Sequence, residues 1–518
     1  MRPVWLAILC AITLNAQGLD SGAILKPPPG TWPTYNGDYS GRRYSTLDQI
    51  NRDNVRSLAM AWAFQTHSAP IKSTPLEVNG ILYFTVPDDV WAVDARTGRL
   101  VWHYHRPSDG DHVGQRGVAM FKNRLYFGTT DAHLICLDAR DGKPVWDVVI
   151  ADVKFGYYIS VAPLVVKDRL IVGTSGDSAD VPHFIEALDP ENGKVLWRWD
   201  TIPKPGEAGS NTWPNTEALS HGGGPAWMTG TYDPDLNLIY WGTGNPHPVL
   251  AGVQRSGSNL YTCSIVALNA DTGKLVWYFQ PSPHDTHDWD AVETPVLVDA
   301  DFQGKPRKLL LQASRNSYFF VLDRTNGKNL LTAPFVPTNW ASRIDAKGQP
   351  VPDKQSEPQP DGSLVHTYYN GGTNWMSPSF DPQTKLFYVN AAQGFAMFYL
   401  TLNDENKAEG HQGGAANSFW TQGLLVAIDY QTGKVKWTRK DGPGGGAPGI
   451  LTTAGNLLFT ADTAGNLLAL DPANGEALWH TYGGGAMNSS PMTYMLDGRQ
   501  YVVMGVDGVL YAWALPAR

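Results

Sequence analysis

Short apolar runs alternate along most of this chain with polar turns built on Asp or Asn and Gly, a rhythm that predicts strands rather than helices. One unit recurs seven times. It opens on Ala92-Val93-Asp94 and ends on Val101-Trp102, and returns with Asp138 and Trp146, Asp189 and Trp197, Asn269 and Trp277, Asp323 and Leu331, Asp429 and Trp437, and Asp471 and Trp479. In each, a strand runs into a turn whose Gly supplies positive φ, and a second strand carries the Trp. Leu331 stands in for the Trp in the fifth unit. Two further strands precede most units, as at 124–128 and 236–241, and four-stranded sheets repeated radially make a β-propeller. The unpaired Trp strand at 60–64 and the unpaired run at 509–513 join as an eighth blade. The expected fold is therefore all-β: an eight-bladed β-propeller with Trp-docking motifs, its ring closed by the N- and C-terminal strands so that no sheet edge stays open. Inserts at 337–369 and 401–421, polar and rich in Gly and Pro, fill the wide gap between the fifth and sixth units and are expected as loops over one face.

Composition narrows the function. A net charge of −9 and a pI near 5.8 leave no basic face for nucleic acid. Met1-Arg2 followed by the apolar run 3–12 reads as a secretory signal over 1–16, cleaved after Ala16 and too short to span a bilayer. Residues 17–518 are then a single periplasmic or secreted domain with no transmembrane segment. Cys10 leaves with the signal. Cys136 and Cys263 remain, both in predicted strands, where a buried free thiol is commoner than a disulfide even in an oxidising compartment. No Cys-x-x-Cys-His occurs, so the chain holds no covalent haem and any electrons leave to a separate partner. No Gly-rich phosphate loop lies between a strand and a helix, which argues against nicotinamide or ATP chemistry.

The densest chemistry lies at 283–294, after the strand that ends Trp277-Tyr278-Phe279. His284, Asp285, His287, Asp288, Asp290 and Glu293 crowd into a chain with only 17% charged residues. Clustered carboxylates repel unless a cation or a shared proton compensates them, which points to a metal site with one carboxylate left as a base. Asp also favours turns, so an acidic turn-forming loop is an equal reading of this stretch alone. His103 and His105 share one strand face and form a possible metal pair, though a partly exposed strand accounts for them as well.

The Trp-bearing units, the opening Trp32-Pro33-Thr34-Tyr35-Asn36-Gly37-Asp38 and the 283–290 segment together resemble the pyrroloquinoline quinone (PQQ) dependent alcohol dehydrogenases, of which methanol dehydrogenase is the best known. The resemblance covers essentially the whole chain after the signal. It implies PQQ on the axis of an eight-bladed propeller, a Ca²⁺ or lanthanide ion touching the quinone, oxidation of an alcohol or aldehyde, and a separate periplasmic acceptor such as a cytochrome c. It further implies Trp227 stacked on the quinone, Asn245 as an amide metal ligand, Asp288 as catalytic base and metal neighbour, and Asp290 as the extra carboxylate of lanthanide-using members. Arg315 matches the cation beside the quinone oxygens; Arg116, Ser160, Ser175, Gly176, Asn374 and Trp375 match polar and ring positions around the cofactor. Under the same resemblance His284 and His287 become rim residues.

Four departures concern the cofactor shell. The family's metal-binding Glu aligns with Ser178, so an anionic ligand is lost unless Asp177 or Asp180 reaches in. The family's adjacent cysteine pair is absent, with Gly110 and Asp111 at about that place. An acidic cofactor contact aligns near Lys72, and a Trp at the edge of the site near Pro448. These departures feed a rival reading, a non-catalytic propeller acting as a binding or assembly scaffold in the cell envelope, comparable to the Trp-repeat lipoprotein of outer-membrane protein assembly.

Overall fold

In the computed structural model the described residues are 18–109, 114–405, 407–408, 410–445 and 448–516. The signal at 1–16, with Cys10, and the Gly110-Asp111 position lie outside them.

The described chain is all-β apart from a few short helical turns. Among the described residues eight sheets of four or five strands follow one another, over 76–105, 119–149, 164–200, 231–279, 296–334, 379–443, 451–482 and 492–514, and a two-stranded hairpin makes a ninth. Strands that are neighbours in sequence pair antiparallel, as short connections between them require. The last sheet takes its fourth strand from the other end of the chain: Ala59–Gln65 pairs antiparallel with Val509–Ala514.

One local device repeats around these sheets. In the first, the Asp94 carboxylate accepts from the amides of Arg96 and Thr97 at 2.9 and 3.0 Å while the Gly98 amide donates to the Asp94 carbonyl at 2.8 Å. Asp thus closes the turn with its side chain, and Gly98 takes φ 69° at no steric cost. The Trp of the preceding sheet then lies flat on that glycine. A Cβ at Gly98, Gly142, Gly273 or Gly327 would stand 2.4–2.6 Å from the ring of Trp62, Trp102, Trp197 or Trp277, so only glycine fits. Each of these indoles donates to a carbonyl of the sheet it docks on, Trp62 to Ala95, Trp102 to Ala139, Trp197 to Ala270 and Trp277 to Arg324. In the fifth sheet Leu331 covers Gly433 in the same manner. Because Trp62 belongs to the last sheet and Gly98 to the first, the docking pattern runs from the end of the chain back to its start.

The inserts differ from expectation. Ser363–His366 pairs with the outer half of Leu386–Leu400, which pairs in turn with Gly414–Asp429, so much of 363–366 and 414–421 is strand, not loop. Ala341–Ile344 and Pro350–Pro352 form a hairpin. Small residues such as Gly413, Gly414, Ala415 and Ala416 look like a loop in sequence, yet a long partner strand supplies ladder hydrogen bonds that override weak local propensity. Cys136 is in a strand as expected, whereas Cys263 sits in a turn with φ 44°; both are buried free thiols.

The inner segments of successive sheets are tied at one end. The Thr74 amide donates to the Arg116 carbonyl at 3.1 Å and the Arg116 amide to the Ser160 carbonyl at 3.0 Å. The Ser160 hydroxyl donates to the Trp227 carbonyl at 3.1 Å. This row of backbone contacts brings residues of four sheets to one place.

Candidate active site

The stretch at 283–294 divides its acids and histidines between core and site. Asp285 is buried, accepts from the Trp289 amide at 3.2 Å, and is pushed up to about 6 by burial, with buried Arg255 opposing. His287 is a core residue and not at the rim: its ring stacks on Trp289 at 4.3 Å, meets Phe398 edge-on and bonds the Ser356 carbonyl at 2.7 Å. His284 turns to the Gly257 carbonyl at 2.8 Å. The two histidines therefore do not converge on one ligand.

Asp288 and Asp290 do converge. Arg315, itself buried, lies 3.3 Å from Asp288 and 3.4 Å from Asp290. Asp290 also accepts from the Trp227 indole at 2.6 Å and from the Asn245 backbone amide at 2.7 Å. Its carboxylate is closed off, whereas the Asp288 side chain keeps 19% of its surface open and takes φ 66°. Tyr369, at the far end of the 337–369 insert, lies beside the Asp288 carboxylate: burial and then the Asp288 charge hold its hydroxyl well above the usual range. Burial pushes both Asp288 and Asp290 upward against the pull of Arg315, Asp290 to about 7; the Asp288 charge raises Asp290 further, and Asp177 raises Asp288. Burial opposes the Arg315 charge, but Asp288, Asp290 and Glu293 outweigh it and hold the guanidinium above its usual range.

The Asn245 carboxamide completes the group. The amide atom facing the acids is 3.0 Å from Asp290 Oδ1 and 3.2 Å from Asp288 Oδ1. With its NH₂ inward the amide donates to both carboxylates; with its carbonyl inward, three oxygens meet at hydrogen-bond spacing with no proton between them. Such a set suits a hard cation that prefers oxygen, and it explains why two carboxylates are buried side by side. The residues present therefore fit Ca²⁺ or a lanthanide ion. Among the described residues no group of three or more His, Cys, Asp or Glu is arranged for a metal. His103 and His105 instead share one oxygen of Asp89 at 2.7 and 2.9 Å, with His103 stacked on Trp91.

Beside the acids lies an aromatic slot. The Arg116 guanidinium carbon stands 5.0 Å from the Trp227 ring and 5.2 Å from the Trp375 ring, and its buried Nε has no partner. Ser160 and Ser175 share a 2.8 Å hydroxyl hydrogen bond. At Gly176 a Cβ would meet Ala179 at 2.5 Å and the Gly156 carbonyl at 2.9 Å, so the loop packs too tightly there for a side chain. Asn374 donates to the Asn370 carbonyl at 3.0 Å and accepts from the Trp375 amide at 2.8 Å. Indole faces beside a buried cation are the groups a planar anion would use.

Ser178 is exposed, and of its two acidic neighbours Asp180 is turned away, pairing with His221 at 2.8 Å. Asp177 accepts from the Tyr158 hydroxyl at 2.7 Å and adds to the negative field at Asp288. Sequence reasoning gave no role to Tyr369 or Glu293. Tyr369 is distant in sequence and carries no local signal, while Glu293 was visible only as one of the crowded acids. Glu293 is buried with an unpartnered Oε1, and burial drives its carboxyl well upward.

Comparison with known proteins follows the same lines. Residues 32–361 and 422–502 match the family model described as glucose/ethanol/alcohol dehydrogenase, PQQ β-propeller domain. The chain is 38% identical to the quinohemoprotein alcohol dehydrogenase of Comamonas testosteroni, covering 94% of this chain and 74% of that protein. It is 37% identical to the quinoprotein alcohol dehydrogenase PedH of Pseudomonas putida, covering 91% and 86%. Among solved structures, a europium-containing methanol dehydrogenase superposes with TM-score 0.88 at 29% identity, covering 95% of this chain and 99% of that one.

Proposed function

The chain belongs to the PQQ-dependent alcohol dehydrogenase family and is an oxidoreductase of it, and from that premise we propose that it oxidises an alcohol or aldehyde at the Asp288–Arg315 site. The observation that carries the reading is the convergence of the Asp288 and Asp290 carboxylates with the Asn245 carboxamide beside the Trp227 ring. A scaffold would have no use for it, because one guanidinium, Arg315, is left to balance the buried carboxylates of Asp288, Asp290 and Glu293, and buried charge in excess of its partner costs stability.

Asn245, Asp288 and Asp290 would hold the cation, Ca²⁺ or a lanthanide ion. Trp227, Trp375, Arg116, Ser160, Ser175, Gly176 and Asn374 would hold the cofactor plane and its polar edge. When bound, PQQ supplies the two-electron acceptor and the cation its Lewis acidity. The protein's own work is proton handling. Asp288 is the acid open to the mouth of the site, and it accepts the substrate hydroxyl proton at a carboxylate oxygen. Its upward shift makes it a stronger base than an ordinary Asp, while the Arg315 charge opposes its protonation and aims it. Asp290, engaged by Trp227, Asn245 and Arg315, is held in place and closed to the substrate. Tyr369 limits how the Asp288 side chain can turn.

The eight sheets are read as eight blades of one closed ring over 17–518, with the Trp62–Gly98 contact and the Ala59–Gln65 strand joining the ends. Electrons leave to a separate periplasmic carrier such as a cytochrome c, a reading supported by the relative named 1-butanol dehydrogenase (cytochrome c) of Thauera butanivorans. Among the described residues no helix is long and apolar enough to cross a membrane. The test is Asp288→Ala, loaded with PQQ and Ca²⁺ or La³⁺ and assayed with an artificial electron-accepting dye. Turnover should fall about 10²- to 10⁴-fold while quinone binding persists. Full activity would remove Asp288 from the role of base.

A further inference from the structure

Lys72 is the one cofactor-shell departure that reverses the sign of a charge, and its surroundings show what that reversal can do. The backbone places it beside Arg116: the Thr74 amide bonds the Arg116 carbonyl at 3.1 Å, and a Cβ at Gly117 would stand 3.1 Å from the Thr74 carbonyl and 3.7 Å from Ser73. Residues 72–74 and 116–117 thus run together at the edge of the aromatic slot. Arg116 is 5% exposed, lies against both Trp227 and Trp375, and keeps an unpartnered Nε. Lys72 is half-buried and makes no hydrogen bond or ion pair with another described residue. Burial weakens its ammonium, Arg116 adds like-charge repulsion, and Asp177 offsets part of this. Two adjacent cations drawn out of water, with Asp177 offsetting only part of their charge, are costly to hold together. An anionic ligand edge would relieve both at once.

We propose that Lys72 and Arg116 form a two-cation clamp that takes carboxylates of the planar quinone, making Lys72 a cofactor ligand in this chain. The proposal rests on the cofactor reading above. It also turns an apparent defect into compensation. An acid facing a ligand carboxylate must share a proton with it, whereas an ammonium pairs directly and stays charged throughout the neutral range.

Titration of the full-length protein with PQQ in excess Ca²⁺, followed by Trp fluorescence, tests the clamp. Lys72→Gln should weaken binding about 10- to 100-fold, the range of a charge-assisted contact. Lys72→Glu should weaken it more and make affinity rise as pH falls toward 5, because the new acid must be protonated to face a carboxylate. Lys72→Arg should restore most of the affinity, and equal melting temperatures would show that all variants fold. If Lys72→Gln and Lys72→Glu bind as the wild type does, with the same pH profile, the clamp is wrong while the cofactor reading stands. If the wild type shows no quenching that depends on Trp227, the cofactor reading fails and the clamp with it.

Discussion

The Trp-and-glycine contacts between sheets and the acid-and-arginine cluster at 288–315 are built on opposite terms. Between sheets, flat indoles cover glycines and each indole N–H of Trp62, Trp102, Trp197 and Trp277 meets a carbonyl at 3.0–3.1 Å. In the cluster, two carboxylates lie side by side, burial pushes both upward, and Arg116 Nε, Arg315 Nε and Glu293 Oε1 are left without partners. Satisfied polar groups with dense apolar packing stabilise a fold; unsatisfied buried charge is kept where something else is meant to bind. The ring contacts hold the chain together, and that margin lets the cluster remain strained.

The contrast can be broken from either side. The largest effect should come from Trp277→Ala, which empties the contact over Gly327 and should cost about 3–5 kcal/mol of unfolding free energy by denaturant titration. The fraction still folded should bind PQQ unchanged; a specific loss of quinone affinity would mean the two regions are not separable. A smaller effect should come from Glu77 in the first sheet. It is buried, accepts from the Gly80 amide at 2.8 Å, and is pushed up to about 7 by burial. The folded state therefore holds a proton that the unfolded chain releases near pH 4.5, so stability is highest below that pH and falls as pH rises toward 7. Glu77→Gln should flatten this slope and add up to about 3 kcal/mol at pH 8, measured by denaturant titration at several pH values. A wild-type profile flat from pH 4.5 to 8 would contradict it.

Smaller still is the effect expected on ion choice. Asp290→Asn removes charge but keeps an oxygen, so La³⁺ affinity should fall about tenfold more than Ca²⁺ affinity in calorimetric titration of the PQQ-loaded protein. Equal losses would make Asp290 a generic ligand. Ser178→Glu should change least, because residue 178 points to solvent and Asp177 already contributes negative charge near Asp288. A gain of more than a few-fold in cation affinity would show that the loop can turn inward.

The repeat was legible because its chemistry is local: an Asp or Asn, a glycine four residues on, and a Trp a few residues later determine a turn, a φ sign and a docking surface. Pairing of 59–65 with 509–514 followed from edge-strand logic alone. Within the cluster, Trp227, Asn245, Asp288, Asp290 and Arg315 do meet, and Arg116 meets Trp227 and Trp375, yet only the resemblance could relate residues so far apart in sequence. What escaped was set by tertiary partners. His287 looks like one more polar residue among acids until Trp289 and Phe398 enclose it. Tyr369 reaches Asp288 from an insert whose composition reads as loop. Residues 414–421 become strand because Leu386–Leu400 runs alongside them.

The proposed chemistry depends on Asn245, Asp288 and Asp290 holding a cation beside a quinone. Crystals of the protein grown with PQQ and a lanthanide, with data collected at the lanthanide absorption edge, test it most directly. One strong anomalous peak is expected with Asn245, Asp288 and Asp290 oxygens at about 2.3–2.6 Å, and planar density against Trp227. A peak elsewhere, or planar density with no cation between Asn245 and the two carboxylates, would contradict it.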